Sequence, residues 1–256
     1  MTGLAAVFRK EMAGYFTSPV AYWVIACFLV ICGFFFWANI SFMSLVSLQA
    51  MNNPMIAERI NLTDVVVRPL LQNMGIVLLF VIPLLTMRVF SEEKKSGSIE
   101  LLLTYPISDP AVVLGKYFAS TLLLLIMLAA TWPSMLLLFG IGEPDPGSMF
   151  AGYLGLFFMG AAFIALGVFV SSLTENQIIS ASLTFGSALL FWILSWTSTI
   201  LGEPWGALTK QLSILEHLDS FYKGLISLPD VTFFALFTAF FLFLTLRSLE
   251  TYRWRG

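Results

Sequence analysis

The sequence predicts an all-α polytopic membrane protein with six transmembrane helices, an N-terminal interfacial helix and a cytoplasmic hairpin between helices 2 and 3. Three observations lead there. The 256 residues are 59% hydrophobic and 11% charged, against about 25% charged in a soluble domain, so too few polar side chains exist to cover a water-facing surface. Six apolar stretches approach or exceed the roughly 20 residues with which a helix crosses the hydrocarbon core. The basic residues gather in alternate connecting segments, as the positive-inside rule prefers.

Residues 1–18 come first. Leu4, Val7, Phe8, Met12 and Tyr15 fall on one side of a helical wheel, with Arg9 and Lys10 on the other, the pattern of a helix lying on the membrane surface. Glu11 falls inside the apolar arc, and a cation from a neighbouring cytoplasmic segment is its expected partner. The first apolar run, about 20–42, is longer than the roughly 7–15 residues of a signal h-region and lacks a small-residue cleavage pattern, so it reads as a retained anchor. Cys27 and Cys32 lie five apart within it, a spacing of neither a redox pair nor a zinc site, and read as inert packing.

The remaining spans are expected at about 70–90, 112–139, 149–171, 178–201 and 231–246. With six spans both termini share one side. Arg9, Lys10, Arg88, Lys94, Lys95, Lys116, Arg247, Arg253 and Arg255, nine of thirteen cations, fall on that side; Arg59, Arg68, Lys210 and Lys223 fall on the other. Both termini are therefore expected in the cytoplasm. The outer loops are then 43–69, the Pro- and Gly-punctuated turn 142–147, and 202–230. Within the last, Leu208, Leu212, Leu215, Tyr222 and Leu225 recur at near-helical spacing with Glu216, Asp219 and Lys223 between them, which predicts short amphipathic helices at the outer interface, a solvated loop being the alternative.

The spans are read as lacking ionisable residues in their interiors, which opposes an ion-coupled carrier, an intramembrane protease and a metal-dependent membrane enzyme. A single histidine, His217, makes a metal centre improbable. No G-x-x-x-x-G-K-[ST] loop occurs, so any nucleotide of that kind must be bound by a partner. Gly155, Gly160 and Gly167, and Ser182 with Gly186, mark either close helix packing or a substrate path. Pro83 removes one backbone hydrogen bond within the second span.

Residues 91–110 read SEEKKSGSIELLLTYPISDP. The second span is expected to run on through Glu92, Glu93, Lys94 and Lys95. Gly97 suits a helix C-terminus. Ser98 is expected to cap a short helix from Ile99 to about Tyr105, with Glu100 in its first turn, before Pro106 ends it. Asp109 and Pro110 open the third span as N-cap and first helical residue. A short helix bearing Ile99, Leu101, Leu102 and Leu103 roughly all round must dock on something, either a partner or the chain's own membrane-facing surface.

The run Met87 to Leu103, Tyr105-Pro106-Ile107-Ser108 and Leu114-Gly115-Lys116 resembles the hallmark of ABC-2 type permeases, the membrane subunits of a class of ABC transporters. Phe16-Thr17-Ser18-Pro19 after Lys10-Glu11, Ser171-Ser172-Leu173-Thr174 with Asn176-Gln177, and Glu216-His217-Leu218-Asp219-Ser220 leading to Gly224-Leu225-Ile226 and Asp230 are similar to the gliding-motility-associated branch. Ser98 and Ile99 replace the more usual Thr and Leu, and Pro229 a basic residue.

The resemblance covers essentially the whole chain, 1–256, as one transmembrane domain of a multi-pass protein of the bacterial inner membrane. It implies that the 91–110 hairpin is a coupling element seated in a groove of a separate cytoplasmic ATPase, present in two copies. Gly97, Ser98, Ile99, Glu100, Leu101, Leu102 and Leu103 would form the contact helix, with Glu92, Glu93 and Lys94 on its polar flank. It implies a second permease copy or a related chain, and in this branch often an accessory membrane protein with an external domain. The chain would be no enzyme: it would hold no cofactor or metal, ATP and Mg being bound by the ATPase. Export or mechanotransmission is the expected function; an ion-independent carrier or channel, and a structural scaffold, are the alternatives. Trp205, Glu216, Asp219 and Tyr222 are the candidate external gate residues, interfacial anchoring being the competing role for the two aromatics.

Overall fold

The computed structural model describes residues 3–52, 61–100, 107–198, 202 and 205–255, and every regular element among them is helical. In chain order these are α1 (Gly3–Thr17), α2 (Pro19–Asn52), a π-helical stretch (Thr63–Val67) that runs directly into α3 (Arg68–Thr86), α4 (Ser91–Lys95), α5 (Asp109–Ala129), α6 (Trp132–Leu138), α7 (Pro146–Leu173), α8 (Gln177–Ser198), α9 (Trp205–Leu212), α10 (Ile214–Tyr222) and α11 (Leu228–Arg255). By length and composition six stretches of them can cross a membrane: Ala21–Ala50, Thr63–Lys95, Asp109–Leu138, Pro146–Leu173, Gln177–Thr197 and Leu228–Arg253. The six expected spans are all present.

Successive spans alternate in direction, and side-chain contacts mark which ends meet. At the hairpin end, Lys94 Nζ donates to Ser172 O (2.6 Å), Ser248 Oγ to the same carbonyl (3.2 Å), and Arg253 Nη1 lies 3.7 Å from Asp109 Oδ2. At the opposite end the Tyr222 hydroxyl donates to Leu71 O (3.3 Å) and Arg68 Nε to Tyr222 O (3.4 Å).

The core sits around α7, which packs against α3, α5, α8, α10 and α11. Its glycines explain how so many neighbours approach it. A Cβ on Gly155 would lie 2.6 Å from Phe221 Cβ, one on Gly160 2.4 Å from Leu124 Cδ2, and one on Gly167 2.1 Å from Thr86 Oγ1. Those distances are sub-van der Waals, so these glycines serve close packing rather than a substrate path. Ser182 and Gly186 differ: Ser182 is exposed and, among the described residues, nothing lies within 4 Å of a Cβ on Gly186, so that pair shows no close helix contact there.

The structure moves several expected boundaries. The first span runs on to Asn52, so much of the expected outer loop 43–69 is helical, from α2 before it and from 63–69 after it; residues 53–60 lie outside the described residues. The second span is not one helix through Lys95: turns at 87–90 separate α3 from α4. The third is likewise interrupted at Ala130 and Thr131, where the Thr131 hydroxyl donates to Leu128 O (2.7 Å) and pairs with the Tyr153 hydroxyl (2.7 Å). Ser108, extended at ψ 143°, is the N-cap of α5, one residue earlier than expected. The turn before α7 ends earlier than expected, Pro146 and Gly147 being already helical, and Asp145 caps the helix, accepting from Gly147 N (3.1 Å), Ser148 N (3.0 Å) and Ser148 Oγ (2.5 Å). Those bonds, the Ser148 hydroxyl's above all, hold the Asp145 carboxyl below its ordinary range.

Candidate functional site

Lys116 is the centre of the hairpin base. It lies seven residues into α5, about 10 Å along the axis at 1.5 Å per residue, and its side chain is only 2% exposed. Its ammonium donates to Glu11 Oε1 and Val89 O, both at 2.7 Å, and forms an ion pair with Glu93 Oε2 at 3.0 Å. The Phe90 ring centroid is 5.1 Å from Nζ. Lys10 Nζ donates to the other oxygen, Glu93 Oε1, at 3.0 Å. Two cations thus balance two carboxylates, and the group joins four segments: α1, the 87–90 turn, α4 and α5.

Local sequence explains why these groups converge. Gly115 lets α1 lie directly on α5, since a Cβ there would come within 2.9 Å of Val7 Cβ. This brings Glu11, the acid within the apolar arc, onto Lys116, which the sequence did not single out as its partner. One turn further along α1, the Tyr15 hydroxyl lies 2.8 Å from Ser120 Oγ. Burial raises the Tyr15 hydroxyl to about 12, against the lowering effect of that bond. For Lys10, burial pulls the ammonium pKa down, but the hydrogen bond to Glu93 and the charges of Glu93 and Glu11 outweigh it, so the net direction is up.

The other side of the hairpin base is held by α7. Ser171 Oγ accepts from Phe90 N (3.0 Å) and Ser91 N (3.1 Å) and reaches Met87 O (3.3 Å), satisfying backbone groups freed where the helix breaks. Lys94 donates to the next residue's carbonyl, as given above. The cavity enclosed between α1, the start of α2, the end of α3 and α4 measures about 480 Å³ and is lined by Lys10, Glu11, Arg88, Glu92, Glu93 and Lys116 among others.

Of the expected contact residues, Gly97 has φ +70°, the left-handed conformation that suits glycine and reverses the chain after α4. The Ser98 hydroxyl meets Ser96 Oγ (2.8 Å) and donates to Glu93 O (3.4 Å), and residue 101, whose N–H a Ser98 cap would serve, lies outside the described residues. Residues 98–100 are helical, Glu100 is exposed, and Ile99 is fully buried in the chain's own core. Ile99 is therefore an anchor of the hairpin and not part of an outward apolar face. Leu101, Leu102 and Leu103 lie outside the described residues.

At the opposite end, α9 and α10 are the short amphipathic helices expected in 202–230. Glu216, Asp219 and Tyr222 line one cavity of about 360 Å³ with Gln72, Trp192 and Ser195; Trp205 is exposed and does not join them. Tyr222 is buried, its hydroxyl bonded to Leu71 O and its acidity lowered by that burial, so it ties α10 to α3 and is no interfacial anchor. Glu216 lies 3.7 Å from Lys210, and Asp219 pairs with Lys223 one turn on. The residues that sequence reasoning missed here are His217 and Asp230. His217 Nδ1 lies 2.7 Å from Asp230 Oδ1, Nε2–H donates to Gln211 O (3.0 Å), and the ring stacks on Phe233 at 4.0 Å. Their thirteen-residue separation across a Gly-containing turn gives no periodic signal. Among the described residues no group of three or more His, Cys, Asp or Glu is arranged to hold a metal.

Lys116 also corrects the reading that no charge lies inside the spans: it is within the stretch 109–138 and almost wholly buried. Paired with Glu11 and Glu93, it joins α1, α4 and α5 near one end of the span. No curated protein matches the chain. A family model described as ABC-2 family transporter protein matches residues 5–246, from α1 to the last turns of α11. With nearly its whole length matched, the chain belongs to the ABC-2 family of transporter proteins, whose members are membrane permease subunits of ABC transporters and not themselves enzymes.

Proposed function

We propose that this chain receives motion from a cytoplasmic ATPase through the 91–110 hairpin and passes it into its spans through the Lys116 network. Members of the family usually work with such an ATPase. The observation that carries the reading is the joint itself: Lys116 links Glu93 of α4 to Glu11 of α1 inside a buried, charge-balanced cluster. A displacement of α4 cannot leave α1 and α5 in place without separating buried charges, which is strongly unfavourable. The hairpin base and α1 therefore move as one body.

Within that reading, Gly97, Ser98, Glu100, Leu101, Leu102 and Leu103 form the docking stretch, Glu92 to Lys95 its polar flank, and Ile99 its internal anchor. Both termini and the hairpin face the cytoplasm, α1 lies at the inner interface, and Glu216 and Asp219 stand at the external gate. Two permease chains with two ATPase subunits, which bind the ATP and Mg, form the complex, an accessory membrane protein with an external domain completing it. The matches at Phe16 to Pro19 and Glu216 to Asp230 support the gliding-motility-associated branch of a bacterial inner-membrane exporter or mechanotransmitter.

The test is purification of the tagged chain from its native cell in mild detergent, with identification of co-purifying proteins and assay of vanadate-sensitive ATP hydrolysis. Leu102→Asp places a charge in the proposed desolvated contact and is expected to remove the ATPase. Unchanged co-purification in that variant rules out the contact at Leu102, and a chain that purifies alone with no hydrolysis favours a carrier or scaffold.

A further inference from the structure

A second cavity of about 380 Å³ opens at the hairpin end of the bundle, between α4, the end of α7 and the end of α11. It lies beside the Lys116 network but shares no residue with it. Among the described residues the polar groups on its wall are two cations, Lys94 and Arg247, and the hydroxyls of Ser172, Ser248, Thr251 and Tyr252, with no carboxylate. The remainder of the wall is apolar and includes Leu173, itself exposed.

The two cations are held in place but not used up. One of the three N–H groups of half-buried Lys94 donates to Ser172 O, and Nζ sits 4.6 Å from the Tyr252 ring centroid. Arg247 gives Nη1 to Glu250 Oε2 (2.7 Å) and rests over the Phe243 ring at 5.1 Å, leaving the rest of its guanidinium fork for another acceptor. Glu250, bonded to Arg247, and Glu175, whose charge acts on Lys94, are the acidic groups nearby, and neither faces the cavity.

Depth completes the argument. Lys94, Leu173 and Arg247 all lie in the last turns of stretches able to cross a bilayer, Thr63–Lys95, Pro146–Leu173 and Leu228–Arg253. The cavity is therefore at the rim of the bundle, with both cations near the span ends and apolar Phe169 and Leu244 about one turn deeper along α7 and α11. A ligand that satisfies both has a phosphate and an acyl chain.

We propose that this cavity binds the headgroup of an anionic phospholipid, its phosphate between Lys94 and Arg247 and its chain along Phe169 and Leu244. Basic recesses between transmembrane helices on one rim are suited to such headgroups. The inference rests on the chain crossing a bilayer and not on the proposed ATPase contact.

The experiment is native mass spectrometry of the full chain released from vesicles of phosphatidylcholine and phosphatidylglycerol. The wild type is expected to retain phosphatidylglycerol in preference. Arg247→Gln, a substitution at an exposed position, is expected to lower that retention about fivefold, the electrostatic share of one cation near a lipid surface. Arg9→Gln, also exposed but remote from the cavity, is expected to leave it unchanged. Retention that survives excess inorganic phosphate supports a lipid; displacement by phosphate alone overturns it in favour of a free anion. Equal retention of the two lipids by the wild type, an unchanged Arg247→Gln, or an equal loss in Arg9→Gln also overturns the proposal.

Discussion

At the hairpin end of the bundle Lys116 donates to Glu11 Oε1 and Val89 O and pairs by charge with Glu93, and two cations balance two carboxylates. At the opposite end His217 and Asp230 form a single pair, and the second oxygen of Asp230 is buried with no hydrogen-bond partner among the described residues. The first arrangement joins helices that are distant in sequence, α1 to α4 and α5. The second closes neighbours, α9 and α10 onto the start of α11. Each end buries one carboxylate oxygen that lacks a hydrogen-bond partner among the described residues, Glu93 Oε2 and Asp230 Oδ2, but Glu93 has two cations on it, Lys10 and Lys116, each at 3.0 Å, where Asp230 has the single His217. The hairpin end is thus tied by more charged groups, and across a longer stretch of sequence, than the opposite end.

The sharpest way to break this contrast is Lys116→Met. It leaves Glu11 and Glu93 facing each other with no buried cation, a loss of about 3–5 kcal/mol by the behaviour of broken buried pairs. Thermal unfolding of the purified chain checks it, and adding Glu11→Gln and Glu93→Gln to the same chain is expected to restore much of the loss. Steric variants probe each end separately. Gly167→Val drives a side chain into Thr86 near the hairpin end, and Gly155→Val into Phe221 near the other, each overpacking change losing about 1–3 kcal/mol. Hydrogen exchange is expected to rise in 87–95 for the first and in 205–222 for the second.

A smaller and local effect is expected from His217→Ala. It strips Asp230 of its partner and the Phe233 stack, losing about 1–3 kcal/mol for a buried unsatisfied group. Faster exchange confined to 205–230, with α1 and α5 unchanged, supports two independent ends; faster exchange in α1 contradicts it. Tyr222→Phe removes one hydrogen bond to Leu71 O and is expected to lose about 0.5–1.5 kcal/mol.

The mildest prediction is a pH effect at Asp145. Its folded pKa lies below the ordinary 3.8, so the cap's contribution is fully present above that value and fades as pH falls through the lower folded one. Exchange at the first turn of α7 is expected to quicken over that acid range, and Asp145→Asn is expected to abolish the pH dependence there.

The six spans were legible because a bilayer demands long apolar runs, and no other reading of such runs competed. Gly97 and Gly155, Gly160 and Gly167 were legible because glycine meets steric needs that no other residue meets. The role of Lys116 was not: its charge invited a place at the membrane edge, and only the packing of α1 on Gly115 brings a compensating acid to it. His217 likewise looked solitary because its partner, Asp230, is on a different helix. The breaks at 87–90 and 130–131 also escaped notice, since apolar composition runs straight through both and only the hydroxyls of Ser171 and Thr131 mark them in space.

The central claim is that the Lys116 network carries hairpin motion into α1. The direct measurement places a fluorophore at Thr17, at the end of α1, in a background of Cys27→Ser and Cys32→Ala, and records its response to ATP and vanadate in the complex purified from the native cell. A vanadate-dependent shift that is present in the parent, and lost in Lys116→Gln although the ATPase still co-purifies, is the predicted result. The same shift in Lys116→Gln would contradict the claim.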